Sequence, residues 1–191
     1  MATTPFKVGT ITNVYRWRFK DGAGSQDVRY MPMTASKTVR AGDVVMYTTG
    51  STGAVERYIT PSATNGNVKF GAASKTLAGI ALAPKTTGGS VTVRDTIAIV
   101  PKDKVQILCR LVSNDTVADD AAAAGGATSR QSGRTLDDKY EIGLYSIGTG
   151  QNNYFPVIGD KTDGRDDVKI VEFANEGDVS DDYGIVWAEL V

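Results

Sequence analysis

Hydrophobic and polar positions alternate with a period of two along most of the chain. Val105, Ile107, Cys109 and Leu111 share one parity, and Gln106, Leu108 and Arg110 take the other, as in a strand buried on one face. Upstream, Val91, Val93, Ile97 and Ile99 alternate with Thr92, Arg94, Thr96 and Ala98, with Asp95 as the exception, so a strand is expected across 91–99. Pro101-Lys102-Asp103 makes the turn between the two. Further strands are expected at 43–48, 54–60, 68–71, 77–83, 139–147, 168–174 and 184–190. Asn65-Gly66, Gly88-Gly89, Gly148-Thr149-Gly150 and Asp163-Gly164 separate them and offer the positive φ of tight hairpins, so the strands should be mostly antiparallel. Helical periodicity is nearly missing. The expectation is an all-β antiparallel barrel or sandwich.

One stretch, 113–135, loses its apolar bulk to Ala, Gly, Ser and charge. It is expected to be a long surface loop or to hold one short helix, capped by Asn114 or Thr116 and ended by Gly125. The organisation that follows is an N-terminal arm (1–27), a β-barrel-like part (28–112), this excursion, and an acidic β-rich part (136–191) that packs on the same body or stands beside it.

Composition narrows the chemistry. With 41% hydrophobic and 23% charged residues in 191, the chain has enough apolar bulk to fold. It contains no histidine, which removes the Ser-His-Asp triad, the Cys-His pair and His-ligated metals. Its one cysteine, Cys109, has no partner for an intramolecular disulfide, and its parity makes it a core residue. Carboxylate pairs hydrolyse glycosides without histidine, but nothing singles out a pair among the 22 acidic residues. Neither Gly22-Ala23-Gly24 nor Gly125-Gly126 has the continuation of a phosphate-binding loop. The aspartates at 160, 163, 166 and 167 lack the ligand ladder of a calcium loop, and are expected to form a solvated acidic turn. The chain is therefore expected not to be an enzyme, and to need no cofactor or metal. No leader with a basic then apolar run and no membrane span are expected.

Charge is unevenly spread: residues 1–110 carry 15 Lys and Arg against 6 Asp and Glu (+9), and 111–191 carry 6 against 16 (−10). This asymmetry favours head-to-tail self-association, or is neutralised within one body if the halves fold together. The basic half holds the most distinctive local segment. Extended, Val14-Tyr15-Arg16-Trp17-Arg18-Phe19-Lys20 puts Tyr15, Trp17 and Phe19 on one face and Arg16, Arg18 and Lys20 on the other. Separation of rings and cations argues against a nucleic-acid platform, which exposes both together. Two readings remain, a core strand with a polar outer face and a partner-binding arm. On the second, Ile11 and Val14 extend a partner's sheet, Tyr15, Trp17 and Phe19 anchor on apolar surface, Arg16, Arg18 and Lys20 meet acidic groups, and the body from about residue 28 folds without residues 1–20.

The run Lys37-Thr38-Val39-Arg40-Ala41-Gly42-Asp43-Val44-Val45, then Leu77-Ala78-Gly79-Ile80-Ala81-Leu82-Ala83, then Gly88-Gly89-Ser90-Val91-Thr92-Val93 resembles the small β-barrel of bacteriophage head decoration (cement) proteins, over about residues 37–112. The resemblance implies a structural virion protein located on the outer capsid surface. It would bind the major capsid protein, stabilise the shell, and form a homo-oligomer such as a trimer. No site residue is implied by it. A different class is a carbohydrate- or receptor-binding β-module of a viral tail or surface appendage, with Trp17, Tyr58, Tyr140, Tyr145, Tyr154, Phe155, Tyr183 and Trp187 as sugar-stacking candidates.

Overall fold

A computed structural model describes residues 16–48, 53–64, 66–72, 75–111, 121–122, 135–146, 154–159, 166–173 and 185–191. The chain is all-β, as its alternation requires. In chain order the described strands are β1 (Trp17–Phe19), β2 (Arg29–Pro32), β3 (Thr38–Val39), β4 (Val44–Tyr47), β5 (Val55–Arg57), β6 (Asn67–Phe70), β7 (Leu77–Ala81) and β8 (Lys85–Thr86). They continue with β9 (Thr96–Pro101), β10 (Val105–Leu111), β11 (Ala121–Ala122), β12 (Lys139–Tyr140), β13 (Ile142–Ser146), β14 (Tyr154–Ile158), β15 (Val168–Phe173) and β16 (Ile185–Leu190).

Two curled sheets form a half-barrel. The larger runs β11-β6-β13-β14-β10-β16-β15-β12, with β1 added to β10; the smaller runs β2-β9-β7-β4-β5, and β3 pairs with β8 as a separate ribbon. Pairing between these strands is antiparallel except where β14 runs parallel to the end of β10. A short 3-10 turn, Lys102–Lys104, carries the chain from β9 in the smaller sheet to β10 in the larger, where the sequence placed a turn. Val44, Met46, Leu77, Ile80 and Val100 of the smaller sheet share one core with Ile107, Cys109, Leu111, Leu144, Ile158 and Ile170 of the larger. On the smaller sheet's other face, Val45, Val55, Ile97 and Ile99 pack with Met33 and Val39. The smaller sheet thus packs apolar side chains of β4, β5, β7 and β9 on its two faces, while its edge strand β2 stays exposed, and the acidic C-terminal strands belong to the same body as the basic N-terminal ones.

β10 alternates buried and half-buried along its whole length, with Val105, Ile107, Cys109 and Leu111 inside. Burial raises the Cys109 thiol far above its usual range, which keeps it protonated and unreactive. Gly79 sits in β7 with φ +154°, beside a register shift in the β4 pairing. A Cβ there would lie 2.0 Å from the Val100 carbonyl oxygen, so only glycine lets β7 and β9 approach this closely.

Four expectations are corrected. The strand expected across 91–99 begins only at Thr96, and Val91 and Val93 are exposed. The Asp95 carboxylate accepts hydrogen bonds from the Thr92 N–H (2.8 Å) and hydroxyl (3.1 Å), and the Asp95 N–H donates to the Thr92 carbonyl, closing a turn that the parity pattern had extended through. Ala121 and Ala122, inside the segment expected to be loop or helix, pair with the edge of β6 despite the high helical preference of alanine; the rest of that stretch lies outside the described residues. β2 and β14 form where no strand was expected. Finally, Trp17–Phe19, part of the expected arm, are a strand of the body.

Replacing Gly79 by alanine should cost about 3 kcal/mol or more in urea unfolding, because both φ and the Val100 carbonyl oppose a Cβ. Gly88→Ala, where a Cβ meets nothing within 4 Å, should change stability by no more than about 0.5 kcal/mol. Similar effects at both positions would show that the β7–β9 approach is not tight.

Candidate functional site

The segment singled out by the sequence occupies a gap in the larger sheet. β14 pairs with β10 at Arg110 and Leu111 only, leaving the first half of that edge open, and β1 fills it with Trp17, Arg18 and Phe19 opposite Ile107, Gln106 and Val105. The Leu108 N–H donates to the Arg16 carbonyl (2.8 Å), and the Lys20 N–H donates to the Lys104 carbonyl (3.0 Å). Trp17 and Phe19 stack edge to face with centroids 5.3 Å apart and pack against the main core. The rings therefore face inward and the cations outward, as strand geometry demands.

Those cations meet the chain's own acidic strands. Arg18 donates to the Gln106 side chain (2.7 Å), pairs with Glu172, and holds its guanidinium carbon 4.2 Å from the Trp187 ring centroid. Lys20 Nζ lies 2.9 Å from Glu189. Burial pushes the Glu189 carboxyl up, but hydrogen bonds from Lys20 and Gln106 together with nearby cations outweigh it and hold the group below its ordinary value. The Arg18–Glu172 pair is exposed and contributes no more than about 1 kcal/mol. Part of the charge asymmetry is thus neutralised within one body. Ile11, Val14 and Tyr15 lie outside the described residues, and Arg16 stands exposed at the entrance to β1.

A second polar centre joins the two sheets. At the turn before β4, Gly42 takes φ +87°, and the Asp43 carboxylate accepts the Arg40 N–H at 2.8 Å, which aims Asp43 inward. Asp43 is 1% exposed. Its Oδ1 accepts the Tyr154 hydroxyl (2.5 Å) and Arg57 Nη2 (3.1 Å), while Arg57 Nε lies 2.9 Å from Oδ2. Arg57 also lies over the Tyr154 ring, 4.9 Å from its centroid. Burial raises the Asp43 carboxyl above its ordinary value, with Arg57 and the hydrogen bonds opposing; burial and the Asp43 charge raise the Tyr154 phenol.

A mirror-image contact lies elsewhere on the seam. The Tyr58 hydroxyl, from the end of β5, donates to Asp167 Oδ1 at 2.7 Å, and the Ile142 N–H donates to Asp167 Oδ2 at 3.2 Å. Each half of the chain contributes one aspartate and one tyrosine. Both oxygens of each carboxylate are engaged by protein donors, so the geometry is that of a clamp between the sheets.

At Asp167 the seam corrects the expectation of a solvated acidic turn over 160–167. Asp167 is buried, and Asp166 pairs with Lys139 at 3.3 Å; Asp160 and Asp163 lie outside the described residues. Among the sugar-stacking candidates, Tyr58, Tyr140, Tyr145, Tyr154 and Phe155 are buried, Trp187 is covered by Arg18, and Tyr183 lies outside the described residues. Sequence reasoning missed Arg57 and the Tyr–Asp pairings, whose partners stand 97 to 111 positions apart. Comparisons of the chain with protein-family models, with curated proteins and with solved structures each give no match.

Tyr154→Phe and Tyr58→Phe should each destabilise by about 1–3 kcal/mol, since each leaves a buried carboxylate oxygen short of a donor. For Asp43 the sign with pH is set by its raised value: the native state takes up the proton before the unfolded chain does, so this group's contribution to stability rises as pH falls from neutral. Asp43→Asn abolishes that gain. Urea melts at pH of about 7 and about 4.5 should therefore show a wild-type advantage over Asp43→Asn that is larger at the lower pH. A smaller advantage there would contradict the assigned shift.

Proposed function

We propose that this chain is a structural protein of a bacteriophage particle, which binds the outer surface of the assembled capsid and stabilises the shell. The observation that carries the reading is the ladder β4–β7–β9. The Arg40-Ala41-Gly42-Asp43 turn delivers the chain into β4, the Leu-Ala-Gly-Ile-Ala strand lies beside it with Gly79 permitting the close approach, and β9 completes the set. These are the segments on which the resemblance to head decoration proteins rests, except that its third strand starts at Thr96 in place of Val91. A sheet with apolar packing on both faces of its central strands suits a protein whose task is to hold a neighbouring surface in place, because a surface held by such packing loses little conformational freedom on binding.

On this reading the major capsid protein is the partner. Residues 1–15, together with Arg16, supply the docking arm, while Trp17–Phe19 anchor that arm in the body. Edge addition of a segment such as Gly9-Thr10-Ile11-Thr12-Asn13-Val14 to a coat-protein sheet needs only backbone hydrogen bonds and Thr- and Val-compatible faces.

The test is electron cryomicroscopy of the particles made by the genome that encodes this chain, with and without an intact reading frame. The expected result is density of this size on the outer shell, lost from the deletion particles, which then release their nucleic acid at a lower temperature. Particles with identical shells, or the chain found in a tail appendage, would overturn the proposal. A glycan array run on the purified protein separates the sugar-binding alternative.

A further inference from the structure

β1 is lightly held. None of its three residues is fully buried, whereas β10 and β16 bury every second residue. Among the described residues it pairs only with β10. The Leu108 N–H bonds the Arg16 carbonyl and the Lys20 N–H bonds the Lys104 carbonyl, so Arg18 turns its polar backbone groups toward Gln106. Alternation then points those of Trp17 and Phe19 away from β10. On the exit side the Ala23 N–H donates to the Lys20 carbonyl at 2.9 Å, across a turn in which Asp21 and Gly22 are exposed and Gly22 has φ +78°. The next strand starts only at Arg29, so β1 leaves its place without unzipping another pair. Side chains supply the rest of the grip. Trp17 and Phe19 lie half-buried on the main core, Arg18 reaches Gln106, Glu172 and Trp187, and Lys20 reaches Glu189. Both ion pairs are partly open to solvent and are screened by salt.

β10 does not depend on β1 for its own place. From Gln106 to Arg110 its other edge pairs with β16, and Val105, Ile107, Cys109 and Leu111 sit in the core. Its amides divide between the two edges: the Leu108 N–H faces β1, and alternation turns those of Ile107 and Cys109 toward β16. With β1 away, the edge presents the Lys104 carbonyl, both polar backbone groups of Gln106 and the Leu108 N–H. The core side then has room for two rings, and the outer side offers Glu172, Trp187 and Glu189. Such an edge takes an extended segment in which rings alternate with cations, and Trp17-Arg18-Phe19-Lys20 is an occupant that displays the fit.

We infer that the β10 edge over residues 104–108 is a strand-acceptor site for an extended segment of alternating aromatic and basic residues, and that β1 is its reversible, autoinhibitory occupant. A local opening takes β1 off the edge and leaves the rest of the body folded. Backbone bonds give the site its affinity, and the alternate side chains give it selectivity. The fraction of time that β1 is away sets the apparent affinity for any competing segment. The inference goes beyond the proposed capsid role and does not depend on it.

Two measurements on the full chain test it. In native-state hydrogen exchange the amides of Leu108 and Lys20 should show about tenfold lower protection, or lower still, than those of Ile107 and Cys109, with little dependence on urea. Their protection should fall further between about 20 mM and about 500 mM salt. A labelled peptide, Val14-Tyr15-Arg16-Trp17-Arg18-Phe19-Lys20, should bind the full chain carrying Arg18→Glu and Lys20→Glu about tenfold more tightly than it binds wild type. The variant's own β1 competes less, while Glu172 and Glu189 remain to receive the peptide's cations. The peptide should lose binding with Trp17→Ser and Phe19→Ser, and also with Arg18→Glu and Lys20→Glu. Arg18→Ala with Lys20→Ala in the full chain is the milder pair should the charge-reversed chain fold poorly. Leu108 exchanging in step with Ile107 overturns the inference. So does a peptide that binds neither chain, binds both equally, or binds without its rings.

Discussion

Two hydroxyl–carboxylate bonds, Tyr154 to Asp43 and Tyr58 to Asp167, tie the smaller sheet to the larger one. Their exchange is reciprocal: the first part of the chain gives Asp43 and Tyr58, and the second gives Tyr154 and Asp167. A buried carboxylate is costly unless its lone pairs are filled, and here backbone N–H groups of Arg40 and Ile142 complete the coordination. Apolar packing alone would let two sheets slide by a residue or rotate. Directional bonds at two separate points of the seam fix the register between the sheets.

The same assembly decides what happens at the N-terminus. Because β14 meets β10 only near its end, an edge is left beside Val105, Gln106 and Ile107, and an unfilled edge of that kind would expose both backbone groups and core. β1 closes it, with Trp17 and Phe19 on the core side. The outward cations then stand over β16 and β15, where Glu172 and Glu189 wait. Basic and acidic halves of the sequence thus meet across a sheet, so part of a lopsided charge distribution is neutralised within one body.

Legibility in the sequence followed burial. β10 and β16 are covered on one face, so period-two alternation placed them well, and Cys109 with them. β14 is buried at all five positions, so Tyr154–Ile158 shows no alternation, and Pro156 argues against a central strand; it is tolerated just before the parallel ladder with β10 begins. β2 failed for the opposite reason, being an exposed edge with Arg29, Tyr30 and Pro32. At Val91 and Val93 the parity continued into a turn that only the Thr92–Asp95 bonds reveal. The clamps were invisible because their partners are remote in sequence, although a lone Asp entering an apolar strand at Asp43-Val44-Val45 was a usable sign of a buried acceptor. The segment 16–20 was read correctly in its faces, and its ambiguity between strand and arm was a matter of which edge it would find.

If the clamps make one cooperative body, the sheets should open together. Native-state hydrogen exchange on the amides of β7 and β13 measures this directly. The account predicts the same highest opening free energy in both strands, falling by the same amount in both when Tyr154 is replaced by phenylalanine. Amides of β7 that exchange through a separate, lower-energy opening while β13 remains protected would contradict it.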